Sequence, residues 1–326
     1  MLSVFRSFAL ILLLVWLVPA SGTTLHRGLG PEPDALDIHL AQSLAALNVL
    51  RDLHEGLVTL DAAGNLIPGI ARAWSVSEDA LRWEFELNSD ARWSDGSRVQ
   101  ADDFVAGWLR ALDPETAAPM AGLLDPVAGA RQVRLGLADP TGLGIQAIGS
   151  DRLVIELEQP TPWFLELLTH PLTFPWADAD ETLFSGPFVL VERVPGARIT
   201  LAANPHFRAA ETVALRELVW HVIEEPSVEL ARYRAGQLHI TETIPPGRLG
   251  WMREQFGDEL RIAPYLGTFF LTFNVGRPPF AEKPALRRAL SLVIDRELLT
   301  DRVLGAGEIP AWGLVPPGMP GWPEIP

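Results

Sequence analysis

Three features of the 326-residue chain predict a mixed α/β fold. Alternating apolar and polar residues mark strands, and apolar residues spaced by four mark helices. No heptad pattern or low-complexity run points to a coiled coil or a disordered chain. Hydrophobic residues make up 48% and charged residues 21%, enough for a sizeable core, and the length suits about two domains.

The first element is a leader. Arg6 precedes an unbroken apolar run over 8–18, shorter than the roughly 20 residues that a membrane span needs. Val18-Pro19-Ala20 then offers a cleavage site, so 1–22 reads as a cleavable secretory signal and the mature protein as exported. The chain contains no cysteine, so a lipid-anchored cysteine at that site is excluded.

Leu81, Trp83, Phe85 and Leu87 alternate with Arg82, Glu84 and Glu86, as in a half-buried strand. Trp93-Ser94-Asp95-Gly96 follows as a β-turn, with Asp supplying an acceptor and Gly a positive φ. Phe104, Trp108 and Leu112 share one face of a helix over 101–112, which Asp113-Pro114 stops. Leu153, Ile155 and Leu157 mark another strand, and Pro162 opens a helix predicted over 162–170. Strands over 189–194 and 198–202 flank Pro195-Gly196 as a hairpin, and a further strand covers 215–223. Ser227 is placed as N-cap of a helix over 227–235, with Gly236 at its end. Asp295 caps a helix over 296–304 that Gly305 closes. Positions 310–326 hold six prolines, the composition of a connector, so the chain is read as stopping inside a linker.

The composition excludes several functions. Forty-one acidic residues against 26 basic give a net charge of −15. Only Lys283 among the bases is lysine, and no basic stripe is available to displace counterions from phosphates, so no nucleic-acid partner is expected. Without cysteine there is no disulfide framework, zinc ribbon or thiol nucleophile. The seven histidines include no HxxxH pair, and no metal or cofactor is expected. Neither G-x-S-x-G nor a glycine-rich phosphate loop is present. Most of the eleven tryptophans read as core, Trp83 and Trp108 foremost.

A series of motifs then runs along the chain. It includes Leu36-Asp37-Ile38-His39, Asn48 to Val58 and Pro68-Gly69-Ile70-Ala71-Arg72-Ala73-Trp74. Trp93-Ser94-Asp95-Gly96 through Phe104 and Pro160-Thr161-Pro162-Trp163-Phe164 with His170-Pro171 come next. Ser185-Gly186-Pro187-Phe188, Asn204-Pro205-His206-Phe207, Tyr233-Arg234-Ala235-Gly236, Phe273-Asn274 and Arg287 to Arg296 complete it. In this order they resemble the family 5 extracytoplasmic solute-binding proteins of peptide ABC importers, specifically the periplasmic oligopeptide-binding type.

The resemblance implies a periplasmic-binding-protein-like clamshell. Its first lobe comprises a base domain from 23–53 and 185–264 with a smaller domain, 54–184, inserted. Residues 265–326 then form a hinge-crossing strand over 267–274 and the start of a second lobe, which family members continue well beyond Pro326. Between Pro175 and Ser185 the chain is shorter than usual for the family. The implied function is non-enzymatic. An oligopeptide is held extended by backbone hydrogen bonds, the lobes close over it, and an inner-membrane permease accepts it from a periplasmic, monomeric binder. Gln42 and Leu44 are nominated for contacts near the peptide backbone, and Arg51 as a charged wall residue. Met120 and Phe270 are expected to pack on the ligand without donating a hydroxyl hydrogen bond.

The protein is thus expected to be a truncated or split form of the binder. The alternative is a surviving first-lobe module that acts as a periplasmic interaction protein without ligand. An exported hydrolase with unrecognised carboxylates is a third reading, and no motif favours it. Dipeptides, cell-wall peptides, haem, nickel chelates and short sugars stay open as ligands beside oligopeptides.

Overall fold

The computed structural model describes residues 23–177, 179, 182–263 and 265–316. The predicted leader and the last part of the proline-rich segment lie outside the described residues, as do positions within 175–185. The chain divides into two units. The first runs to Glu224 and includes Gln237–Ile240; the second comprises Glu225–Gly236 and the residues from Thr241 onward.

Unit 1 contains two four-stranded sheets and a small ladder. In chain order its strands are β1 (Thr23–Gly30), β2 (Val58–Leu60), β3 (Leu66–Pro68), β4 (Ala71–Val76) and β5 (Arg82–Leu87). They continue with β6 (Ile145–Ile148), β7 (Arg152–Glu156), β8 (Phe188–Val194), β9 (Arg198–Ala203) and β10 (Leu215–Val222). The first large sheet has the order β1-β10-β9-β8, with β1 parallel to β10 and the other pairs antiparallel. The second, β4-β5-β7-β6, is antiparallel throughout, and β2 pairs with β3. Residues between β1 and β8 therefore form a sheet of their own.

Each large sheet buries one apolar face under a helix, as period-2 alternation requires. Helix α1 (Leu44–Leu53) lays Ala45, Val49 and Leu53 against Leu29, Ile199, Leu201 and Trp220 of the first sheet. Helix α2 (Ala101–Leu112) buries Phe104, Trp108 and Leu112 with Phe85, Leu153 and Ile155 of the second. The span of α2 is the one its sequence predicts. Two buried tryptophans find partners for their N–H groups: Trp108 Nε1 donates to the Thr173 carbonyl at 2.9 Å, and Trp93 Nε1 to Asp103 at 3.0 Å. Short helices α3 (Ala130–Arg134) and α4 (Phe164–Leu167) complete the unit.

Helix α4 is shorter than the predicted 162–170. Trp163 is its N-cap, so Pro162 precedes the helix, and the segment resumes as a separate 3-10 turn at Pro171–Thr173. The hairpin around Pro195-Gly196 is formed as expected, and Gly196 takes a φ of +69°. The Trp93–Gly96 turn also forms, with the Gly96 N–H donating to the Trp93 carbonyl at 2.9 Å and a Gly96 φ of +88°.

Unit 2 is helical among the described residues: α5 (Pro226–Arg234), α6 (Leu249–Phe256), α7 (Pro284–Val293) and α8 (Arg296–Leu298), the last running into a π-helical turn, Leu299–Leu304. Glu225, and not Ser227, is the N-cap of α5, because Pro226 occupies the first helical position, where its missing N–H costs nothing. Asp295 caps α8 as predicted, accepting from the Leu298 N–H at 2.9 Å. Exposed Lys283 is the N-cap residue of α7.

The strand predicted over 267–274 does not form. A strand needs a ladder partner, and unit 2 offers no strand among its described residues. Phe269 and Phe270 stand 91% and 57% exposed there.

Candidate functional site

The loop over 31–43 and helix α1 carry three of the five nominated residues, and three carboxylates pin that loop. Glu32 accepts from the Arg193 guanidinium at 2.8 Å and from the Gly196 N–H at 2.9 Å, tying the loop to the β8–β9 hairpin. Asp34 accepts from the Gln42 N–H at 2.8 Å and the Ser43 hydroxyl at 2.6 Å. Burial works against charge on Asp34, but these bonds outweigh it and hold the carboxyl below its ordinary range. Ser43 in turn caps α1 by accepting from the Ala46 N–H at 3.2 Å.

Asp37 is the third pin. It receives Arg110 of α2 in a bidentate pair, with bonds of 2.7 and 3.0 Å, and accepts from the His39 N–H at 2.8 Å. Burial again opposes its charge, yet the Arg110 bonds prevail and lower its pKa. His39 contacts the same guanidinium through Nδ1. Burial first, and the Arg110 charge second, push its pKa down to about 4.

This rigid loop presents Gln42 and Leu44 outward. Leu44 is 52% exposed although it begins an apolar helix, and Arg51 lies two turns further on the same exposed face. Ala46 and Leu50, on the covered side of α1, pack with Ile38, Ala41 and Phe174. Arg51 sits close enough to His170 that its charge, after burial, helps push that imidazole down to about 4. Leu44 and Arg51 thus share one face of α1, and Gln42 stands exposed just before the helix begins. Met120 belongs elsewhere, half-buried against the core of the second sheet. Phe270 lies in unit 2, exposed.

The roles of several family-like motifs appear only in space. Ser185 is buried and accepts the Glu55 N–H at 3.1 Å, while Gly186 donates to the Leu53 carbonyl at 2.9 Å. A Cβ on Gly186 would lie 2.6 Å from the His54 nitrogen, so only glycine fits this crossing. Asn204 donates its side-chain amide to the Gly186 carbonyl at 2.9 Å. Beside this junction the buried Glu55 carboxylate and the half-buried Arg208 guanidinium form a bidentate pair, both bonds 2.7 Å. Burial dominates and raises the Glu55 pKa despite Arg208. Asp52 accepts from Trp220 Nε1 at 3.0 Å, and burial raises it to about 6. The motifs after α1, before β8 and after β9 therefore meet as one architectural knot.

No described group of three or more His, Asp or Glu side chains is placed to hold a metal ion, and no described helix is long and apolar enough to cross a membrane.

Two sheets joined by such a knot, with β1 paired to a strand from the far end of the unit, give the α/β architecture in which the comparisons place the chain. It belongs to the bacterial extracellular solute-binding proteins, family 5, whose family description matches residues 65–326. Among its relatives, the probable deoxycholate-binding periplasmic protein YgiS of Escherichia coli is 35% identical over 89% of this chain and 56% of its own length. The periplasmic murein peptide-binding protein MppA of E. coli is 34% identical over 92% of this chain and 58% of its own. The solved MppA structure superposes with a TM-score of 0.90 over 94% of this chain and 62% of that one. Oligopeptide-binding OppA of Haemophilus influenzae, solved with the peptide RPPGFSPFR, gives a TM-score of 0.86 at 32% identity over 91% of this chain and 60% of that one. The chain thus spans little more than half the length of these curated relatives.

Proposed function

We propose that the chain is the extracytoplasmic, non-enzymatic solute-binding component of a peptide ABC importer. It takes up oligopeptides in the periplasm and passes them to an inner-membrane permease. The observation that carries this reading is the TM-score of 0.86 to a family member solved with an oligopeptide bound. A peptide held by its backbone needs fixed polar groups and adaptable apolar contacts. The pinned 31–43 loop supplies rigidity, Gln42 an amide, Leu44 an exposed apolar contact and Arg51 a charge. Met120 and Phe270 are assigned further apolar contacts. Unit 2 leaves Phe269, Leu271, Leu292 and Val293 more than two-thirds exposed. In this reading they are covered by polypeptide corresponding to the part of the family's length that this chain does not span.

The test is calorimetric titration of oligopeptides into the chain alone, and into the chain fused to that remaining part of MppA. Saturable heat with the fusion, lowered by R51E, supports the reading. The absence of heat from both proteins overturns it. The alternative is a periplasmic interaction module without ligand, and the same exposed side chains of unit 2 favour it. It expects a stable monomer that ignores peptides in both forms.

A further inference from the structure

We propose that His26, His221 and His239 form a pH-sensitive clasp that fixes the segment Gln237–Ile240 to β1. The chain leaves unit 1 at Glu225, passes back through it over this segment, and leaves again at Thr241. Two bonds of ordinary parallel pairing hold the segment. The His239 N–H donates to the His26 carbonyl at 2.7 Å, and the Gly28 N–H donates to the Ile240 carbonyl at 2.9 Å.

The third bond runs through a side chain. The His26 N–H donates to Nδ1 of His239 at 2.9 Å, which requires a lone pair on that nitrogen and hence a neutral ring. Beside it, Nδ1 of His26 and Nε2 of His221 lie 3.1 Å apart, so one nitrogen carries the proton and the other accepts it. The ring centroids of His26 stand 5.3 Å from those of His221 and 5.7 Å from those of His239.

This arrangement tolerates one added proton at most. A proton on Nδ1 of His239 sets N–H against N–H and removes the bond. A second proton on the His26–His221 pair does the same and places two cations in contact. Imidazoles change charge between about pH 5 and 8, so this transition falls in a range that an exported protein meets.

Several charged groups surround the cluster. Strand register puts Glu217 of β10 on the same face, where it accepts from the Thr24 hydroxyl at 3.2 Å. Arg198 of β9 stands opposite His221, paired with Glu192 of β8 at 2.8 Å. Arg27 lies on the other face, over the Trp220 ring. Within the segment His239 is the one ionisable side chain; Glu242, just beyond it, uses its N–H on the buried Glu229 carboxylate at 2.9 Å. Because a proton on Nδ1 of His239 removes a bond that holds the segment, acidification loosens the segment while the backbone ladders of β8, β9 and β10 stay intact.

Amide hydrogen exchange on the full chain at about pH 8 and about pH 5, corrected for intrinsic rates, tests the clasp. Protection at His26, Gly28 and His239 is expected to fall about tenfold or more relative to Leu201 and Leu218 of the same sheet. H239N keeps an acceptor for the His26 N–H but does not titrate, and is expected to remove most of that local loss. H221Q, which leaves the segment's own bonds untouched, is expected to reduce it as well. A uniform loss across the sheet, or a local loss unchanged in both variants, overturns the clasp.

Discussion

Helices α2 and α7 have comparable lengths and each carries apolar residues along one face, yet their surroundings differ. Helix α2 buries six of its residues between the second sheet and its flanking turns, whereas α7 buries none. Leu290 stands 42% exposed, and Val293, the last residue of α7, is more open still. An amphipathic pattern therefore decides that a helix forms and which face is apolar. It does not supply the surface that the face packs on. In unit 1 that surface comes from strands of the same segment; in unit 2 the described residues provide no sheet.

The sharpest way to break this comparison is to remove a large side chain on each side of it. W108A in α2 opens a cavity and orphans the Thr173 carbonyl, and is expected to cost about 3–5 kcal/mol in a denaturant melt. A cost below about 1 kcal/mol would mean that unit 1 is no better packed than unit 2. Next in size is R208M, which leaves Glu55 buried without its partner and is expected to cost about 3 kcal/mol near neutral pH. Because burial already raises the Glu55 pKa, protonation of that carboxyl offsets part of the loss, and the measured cost should shrink in acid.

The third prediction concerns pH. His39, His54 and His170 are each pushed down to about 4, burial being the first cause in every case. Their unfolded forms take up protons near pH 6.5 and their folded forms near 4. The stability they contribute is thus fully present above about 6.5 and is lost as pH falls towards 4, by up to about 1.4 kcal/mol per pH unit for each histidine. Asp52, raised to about 6, opposes them, since its folded form takes up its proton first. Unfolding midpoints measured from about pH 7 to 4 should therefore fall, and H39Q should flatten the slope. A midpoint independent of pH would remove the buried neutral histidines from the account. The smallest effect is expected from F269S in unit 2: within about 0.5 kcal/mol on the melt of unit 1, but with a clear fall in binding of an apolar dye.

What the sequence made legible follows from range. The span of α2, the β8–β9 hairpin and the Asp295 cap depend on residues within a dozen positions, and local pattern captures them. The N-cap of α5 was misplaced by two positions, at Ser227 instead of Glu225, because Pro226 between them takes the first helical position. The 267–274 segment has the residues of a strand, but pairing is a property of two segments and the second is absent from the described residues. Of the nominated site, Gln42, Leu44 and Arg51 came from the family resemblance, and helical spacing accounts only for Leu44 and Arg51 sharing a face. The junction of Glu55, Ser185, Asn204 and Arg208 was invisible, since Glu55 meets Ser185 and Arg208 from more than a hundred residues away. The histidine cluster was hidden for the same reason: His26 meets residues 195 and 213 positions away.

One further consequence attaches to Lys283, the residue that opens α7. It is the single lysine of the chain and it is exposed. An amine-directed dye or cross-linker therefore has one side-chain target, and that target stands at the mouth of the helix whose apolar face is uncovered. Labelling there gives an optical reporter at a single address. Its emission would register whatever polypeptide comes to lie over unit 2, without an engineered cysteine and with unit 1 left unmodified at its side chains.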